Sequence, residues 1–251
     1  SFYASTHYRI QMVKFMDRRD RSRLENYFLD LYPVKKTDIY ELAAIEKLYR
    51  GDLKGALKTF KTCPGSGNEI LSGDPFLIHI RDCHDCDHAA PQSVKYTKES
   101  FVEKMLLMEQ KAKKEPKKAA EYYFEMANGF YNMSYFGNGR VIYSCLLNNN
   151  YVIGDYNDSE KKDVIYEMDC SQAENYYLRA GHLSKDKEFK AKCYFMSAKC
   201  EMNKFYTELS WNSEEAPVDI QNFQILKDSL SNTKYYQEII RECSYFAAWT
   251  R

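Results

Sequence analysis

The chain is poor in the residues that interrupt regular structure, with only 10 glycines and 6 prolines in 251 residues. It also lacks an excess of either charge, since 36 Lys and Arg face 36 Asp and Glu. That balance removes the electrostatic drive for nonspecific association with nucleic acid or anionic membranes. No run approaches the ~18 consecutive apolar residues of a bilayer-crossing helix, so no membrane span is expected. The chain opens Ser1-Phe2-Tyr3, without an initiator Met and without a charged segment followed by an apolar one. The expectation from that start is a processed or truncated piece of a longer polypeptide. Eight cysteines are too sparse for a disulfide scaffold.

Signatures of catalysis are missing as well. Neither G-x-S-x-G nor H-E-x-x-H occurs, and spacing singles out no carboxylate pair. Gly137-Asn138-Gly139 is not followed by Lys-Ser/Thr and joins two predicted helices, so it does not read as a phosphate loop. Lys111-Ala112-Lys113-Lys114-Glu115-Pro116-Lys117-Lys118 has no interleaved aromatics, and it reads as a solvated helix junction instead of a nucleic-acid site.

What is present is apolar and aromatic: 44% hydrophobic residues, with 22 Tyr and 14 Phe. That content is too rich for a disordered chain. Apolar residues recur at three- and four-residue steps over 8–32, stopping before Pro33. Thr37-Asp38-Ile39-Tyr40-Glu41 reads as the next helix start, Thr37 capping and Glu41 complementing the dipole. Short helices over 38–50 and 53–62 flank Gly51-Asp52. Further helices are expected over 98–113, 117–134, 138–148, 171–184, 187–207, 217–230 and 233–249. Longer loops fall near 63–91 and 148–170, and a linker near 209–217. Tyr151-Val152-Ile153 is the one short candidate for a strand. The fold class expected is all-α, a single array of antiparallel helix pairs over 1–251.

Three segments share a spacing of small and aromatic residues. Tyr40, Ala44, Gly51, Ala56 and Phe60 form the first; Tyr123, Ala127, Phe130, Gly139 and Tyr143 the second; Tyr176, Ala180, Leu183, Ala191, Phe195 and Ala198 the third. Ala or Gly lets two helices approach, and an aromatic one turn on fills the space where they splay. On these residues, above all 41–60, the chain resembles the tetratricopeptide repeat family. Ala44, Ala127 and Ala180 are 83 and 53 residues apart, which departs from that family's regular period. The resemblance implies an α-α superhelical array and a noncatalytic scaffold that binds a protein or peptide partner. It places the groove along the first helix of each pair, near Tyr40, Tyr123 and Tyr176. The tyrosine-rich pattern also resembles exported repeat proteins of Bacteroidetes, which implies a periplasmic or cell-envelope location, with the cytoplasm as the alternative.

One constellation stands apart from the repeats. His79-Ile80-Arg81-Asp82-Cys83-His84-Asp85-Cys86-Asp87-His88 packs three His, two Cys and three Asp into ten residues. Cys83, Cys86, His88 and His79 could take Zn²⁺ tetrahedrally, although no second ligand pair occurs at a distance. The same residues could instead be packing groups, a local disulfide or a redox pair. Three adjacent carboxylates would raise a thiol pKa and disfavour the last. The scaffold reading therefore expects no cofactor, and a metal-binding or redox protein built on this cluster is its alternative.

Overall fold

The computed structural model describes residues 6–80, 94–142, 147, 167–208 and 220–250. The described chain is all-α. Helices follow one another as α1 (Thr6–Asp17), α2 (Arg23–Leu31), α3 (Lys36–Tyr49), α4 (Leu53–Thr62), α5 (Lys98–Lys114) and α6 (Ala119–Asn132). After these come α7 (Ser171–Leu183), α8 (Lys187–Glu208), α9 (Gln221–Leu230), α10 (Lys234–Glu242) and α11 (Ser244–Trp249). Among the described residues β-pairing is limited to one antiparallel bridge, Ile70 with Thr97.

Local chemistry sets the helix ends. The stretch read as one helix over 8–32 is two helices. Ser22 Oγ accepts from Glu25 N while Glu25 Oε2 accepts from Ser22 N, a reciprocal cap that starts α2 afresh. Helix α3 begins at Lys36, one residue before the expected Thr37 cap. Asp38 Oδ2 accepts from the backbone N–H of Lys35, 2.7 Å away. Gly51 adopts φ +76°, a conformation costly to a side chain, and ends α3. Asp52 then caps α4 through the N–H of Gly55 at 2.9 Å. Cys243 separates α10 from α11 where one helix was expected over 233–249. Of the helix expected over 138–148, the described residues show a 3₁₀ turn, Arg140–Ile142. Tyr151-Val152-Ile153 lies outside the described residues.

Packing runs in chain order: α3 on α4, α4 on α5, α5 on α6, α6 on α7, α7 on α8 and α8 on α9. Ala44, Ala56, Ala127, Ala173, Ala180, Ala191 and Ala198 are all fully buried, as expected of residues that let helices close together. Helix α8 is enclosed on every side between Phe195 and Cys200, where six consecutive residues are buried. It also organises the C-terminal helices. Its Glu188 carboxylate accepts the N–H groups of Lys234 and Tyr235 at the start of α10, at 2.9 and 3.0 Å. Its Glu201 Oε2 accepts the N–H of Asn222 at the start of α9, at 3.0 Å. A carboxylate at a helix N-terminus satisfies orphan donors and complements the dipole.

Lys98 connects the start of α5 to two earlier elements. It is 2% exposed, and its ammonium meets Glu41 of α3 and Glu69 of the preceding loop, the latter at 2.6 Å. Glu41 thus faces Lys98, not the dipole of its own helix. Burial pushes the Glu41 carboxyl above its ordinary value, against the pull of Lys98.

Two predictions follow from these charges. Removing one member of a buried pair strands the other, so Lys98→Met costs about 3 kcal/mol in urea unfolding. Lys98→Met with Glu41→Leu recovers most of that loss. The backbone hydrogen bonds from Lys234 and Tyr235 hold the Glu188 carboxyl below its ordinary value of 4.5. Its stabilisation is therefore present above that value and lost as pH falls through the lower folded-state value. Glu188→Gln is less stable than wild type at neutral pH, and the difference closes on acidification, as read by urea midpoints across pH.

Candidate functional site

Two of the three expected groove residues meet. The Tyr123 ring of α6 and the Tyr176 ring of α7 stack with centroids 5.8 Å apart. Tyr176 also lies parallel to Phe130, with a 5.4 Å separation and a 5° interplanar angle. Arg179, one turn after Tyr176, places its exposed guanidinium 4.0 Å above the Tyr123 ring. Tyr123 and Phe130 are buried whereas Tyr176 is half-buried. Burial raises the Tyr176 phenol pKa, with Glu109 adding to the shift. Tyr176 keeps its proton at neutral pH and can act as a donor with an apolar face. The third expected residue, Tyr40, sits on α3 with Lys36 Nζ 5.8 Å from its ring centroid.

The same helix, α6, carries a second arrangement. Asn128 and Asn132 lie one turn apart and are both 4% exposed. Asn132 Nδ2 donates to the carbonyls of Pro75 and Leu77 at 3.0 and 2.6 Å. Asn128 Nδ2 donates to the carbonyl of Phe76 at 2.8 Å, and its Oδ1 accepts from the Tyr177 hydroxyl of α7 at 2.9 Å. The Lys199 ammonium of α8, itself 1% exposed, donates to the carbonyl of His79 at 2.9 Å. Four main-chain carbonyls between Pro75 and His79 are thus held by side chains of α6 and α8. Gly129 makes room for this. A Cβ there would lie 2.5 Å from Met105 Sδ and 3.2 Å from the Phe76 ring. Gly137-Asn138-Gly139 folds back over the end of α6, with Gly139 N donating to Asn132 O at 2.7 Å. Asn138 Nδ2 donates to the carbonyl of Asp74 at 3.0 Å, so this turn is a clasp on the same segment.

Cys83, Cys86 and His88 lie outside the described residues. His79 is described, and its side chain is exposed. Among the described residues no three His, Cys, Asp or Glu side chains converge as metal ligands. Cys63, Cys170, Cys193, Cys200 and Cys243 are buried free thiols. Cys170 donates to Ser134 Oγ at 3.5 Å and accepts from Asn203 Nδ2 at 3.8 Å. Burial pushes the thiols of Cys193 and Cys200 upward, which disfavours the nucleophilic thiolate.

Between α4 and α5 lies a shallow groove of about 450 Å³, lined by Lys54, Leu57, Lys58, Lys61, Thr62 and Leu106. One of its lysines, Lys61, is paired with Glu103 at 2.7 Å.

No family model matches the chain, and no curated protein or solved structure matches it. The geometry of its own side chains is what speaks for a function.

Removing the Asn132 amide strands two carbonyls, one of them on buried Pro75. An unsatisfied buried acceptor costs on the order of 1–3 kcal/mol. Asn132→Ala is expected to lower stability by about 2 kcal/mol and to accelerate proteolytic cleavage between residues 74 and 80. Urea unfolding and limited proteolysis check both outcomes.

Proposed function

We propose that this chain is a noncatalytic helical-repeat scaffold that binds an extended segment of a protein or peptide partner along the α6–α7 face. The observation that carries this reading is the stack formed by Phe130, Tyr176, Tyr123 and Arg179. Its rings are fixed by packing against one another, and two of its members, half-buried Tyr176 and exposed Arg179, reach solvent. Tyr and Arg on a rigid support are the side chains that dominate binding energy at protein interfaces, because they bury much area for little lost conformational entropy. The amides of Asn128 and Asn132 support the same reading. They hold the non-helical segment Pro75–Leu77 of this chain by its carbonyls, a mode of recognition that depends little on side-chain identity.

The order of packing from α3 to α9, with buried alanines where helices cross, favours a tetratricopeptide-like superhelical stack as the form of the scaffold. By resemblance, its place is the periplasm or cell envelope.

Selection of phage-displayed peptides against the intact chain tests the proposal. The selected peptides bind wild type, and Tyr176→Ala and Arg179→Ala each weaken them about tenfold or more. Asp228→Ala, an exposed change on α9, leaves binding unchanged. Failure to enrich any peptide, or equal binding by all three variants, overturns the reading.

A further inference from the structure

Helix α2 is the one α-helix among the described residues with no buried residue. Leu24, Tyr27, Phe28 and Leu31 are 64, 59, 61 and 63% exposed. Their spacing of three, one and three places all four on a single stripe of the helix. The Tyr27 and Phe28 rings touch edge to face at 5.9 Å, so the stripe is continuous. A soluble chain rarely shows water a contiguous patch of large apolar side chains unless something covers it. A nine-residue helix is also marginal by itself, whatever its caps.

The charges beside the stripe identify what covers it. Arg23 immediately precedes Leu24, and Asp30 immediately precedes Leu31, so both lie on the same flank. Both are exposed, and neither has an ion-pair or hydrogen-bond partner among the described residues. Seven residues apart on one helix, they are separated by roughly 10 Å and cannot pair with each other. Two copies of α2 packed antiparallel about a two-fold axis solve this. Arg23 of each copy then faces Asp30 of the other, twice over. The stripe is centred between Tyr27 and Phe28, so Tyr27 of one copy meets Phe28 of the other at the axis and Leu24 meets Leu31. Arg23 and Asp30 are then offset along the axis by about 3 Å, which the long Arg side chain spans. A surface complementary to itself is what an isologous interface requires. An anionic membrane would be opposed by Asp30 at the edge of the apolar stripe. An unrelated partner would not account for a plus and a minus charge on one flank of the stripe, near its two ends, which an antiparallel copy pairs twice over.

We infer that the α2 face is a self-association surface, joining two copies of this chain through an antiparallel α2–α2 contact. Burying the four side chains on both copies removes on the order of 1,000 Å² from water, the lower limit for a specific interface. The dimer is therefore weak and reversible, and added salt weakens it further because its ion pairs are exposed. The contact is independent of the α6–α7 face, so either proposal can fail without the other.

Sedimentation equilibrium of the intact chain up to high micromolar concentration is the test. Wild type is expected to show a monomer–dimer equilibrium that Phe28→Glu abolishes with helix content unchanged in circular dichroism. Arg23→Asp and Asp30→Arg each weaken the dimer roughly fivefold, because each replaces two attractive pairs by repulsive ones. An equimolar mixture of these two variants associates at least as strongly as wild type, since every pair across the contact is again of opposite sign. The inference is overturned by a monomer at all concentrations, including one that cosediments with phosphatidylserine vesicles. It is equally overturned by a dimer that Phe28→Glu leaves intact, or by a mixture that associates no better than its components.

Discussion

Irregular backbone set against a helical array has neither a helix nor a neighbouring strand to satisfy its carbonyls, and this constraint organises the packing around α6. Pro75 and Ile80 are buried while Leu77 and His79 between them are exposed, so the segment lies against the helices and its inward-facing carbonyls need donors from side chains. Three residues supply them: Asn128 and Asn132 on α6, and Lys199 on α8. Much around them follows from that need. Gly129 stands in the middle of α6, where glycine costs helix stability, because Phe76 and Met105 occupy the space a side chain would take. Tyr177 is buried on α7 with its hydroxyl on Asn128, which fixes the amide's orientation and ties α7 to α6. The Lys199 ammonium lies 5.3 Å from the centroid of the Tyr131 ring, so its charge also has an aromatic face beside it.

Helical periodicity made the array itself legible, because apolar residues at three- and four-residue steps report buried stripes whatever the partner. The repeat spacing also brought Tyr123 and Tyr176 out of 22 tyrosines, and they stack. The second arrangement on the same helix was harder to see. Two amides at i and i+4 inside the apolar run Met126–Met133 are a signal, since such amides must be satisfied when buried, but the sequence does not say by what. Lys98 and Lys199 are buried, whereas most of the other lysines are on the surface, and nothing in their local sequence marks them. The break between α1 and α2 was written plainly as Ser22-Arg23-Leu24-Glu25. The apolar residues on either side share the same three- and four-residue steps, and that shared period points to one helix over 8–32 although Asp17 to Arg23 are all polar.

A net charge of zero hides how differently the charges are used. Glu41 and Glu69 share buried Lys98, and Arg9 meets Glu46 at 2.7 Å to bring α1 onto α3. Glu188 and Glu201 of α8 serve as caps for helices that follow much later in the chain. These contacts join elements distant in sequence: Lys98 and Arg9 are buried, and Glu188 and Glu201 act through hydrogen bonds to backbone N–H groups, which isolated surface ion pairs lack. Capping by a carboxylate from another helix also fixes register, since only one N-terminus can be presented to it at a time.

Set against those internal roles, Arg23 and Asp30 are conspicuous for being opposite in sign, close to one apolar stripe and unable to reach each other. A helix meant only for solvent gains nothing from four large apolar side chains on one face, and a helix meant for the core would not have left them 59–64% exposed. Burial against a copy of itself answers both objections with no residue outside α2. It also explains why a strong reciprocal cap sits at Ser22 and Glu25. A short helix that must stand apart from the array until it finds its counterpart depends on its own ends for what order it has.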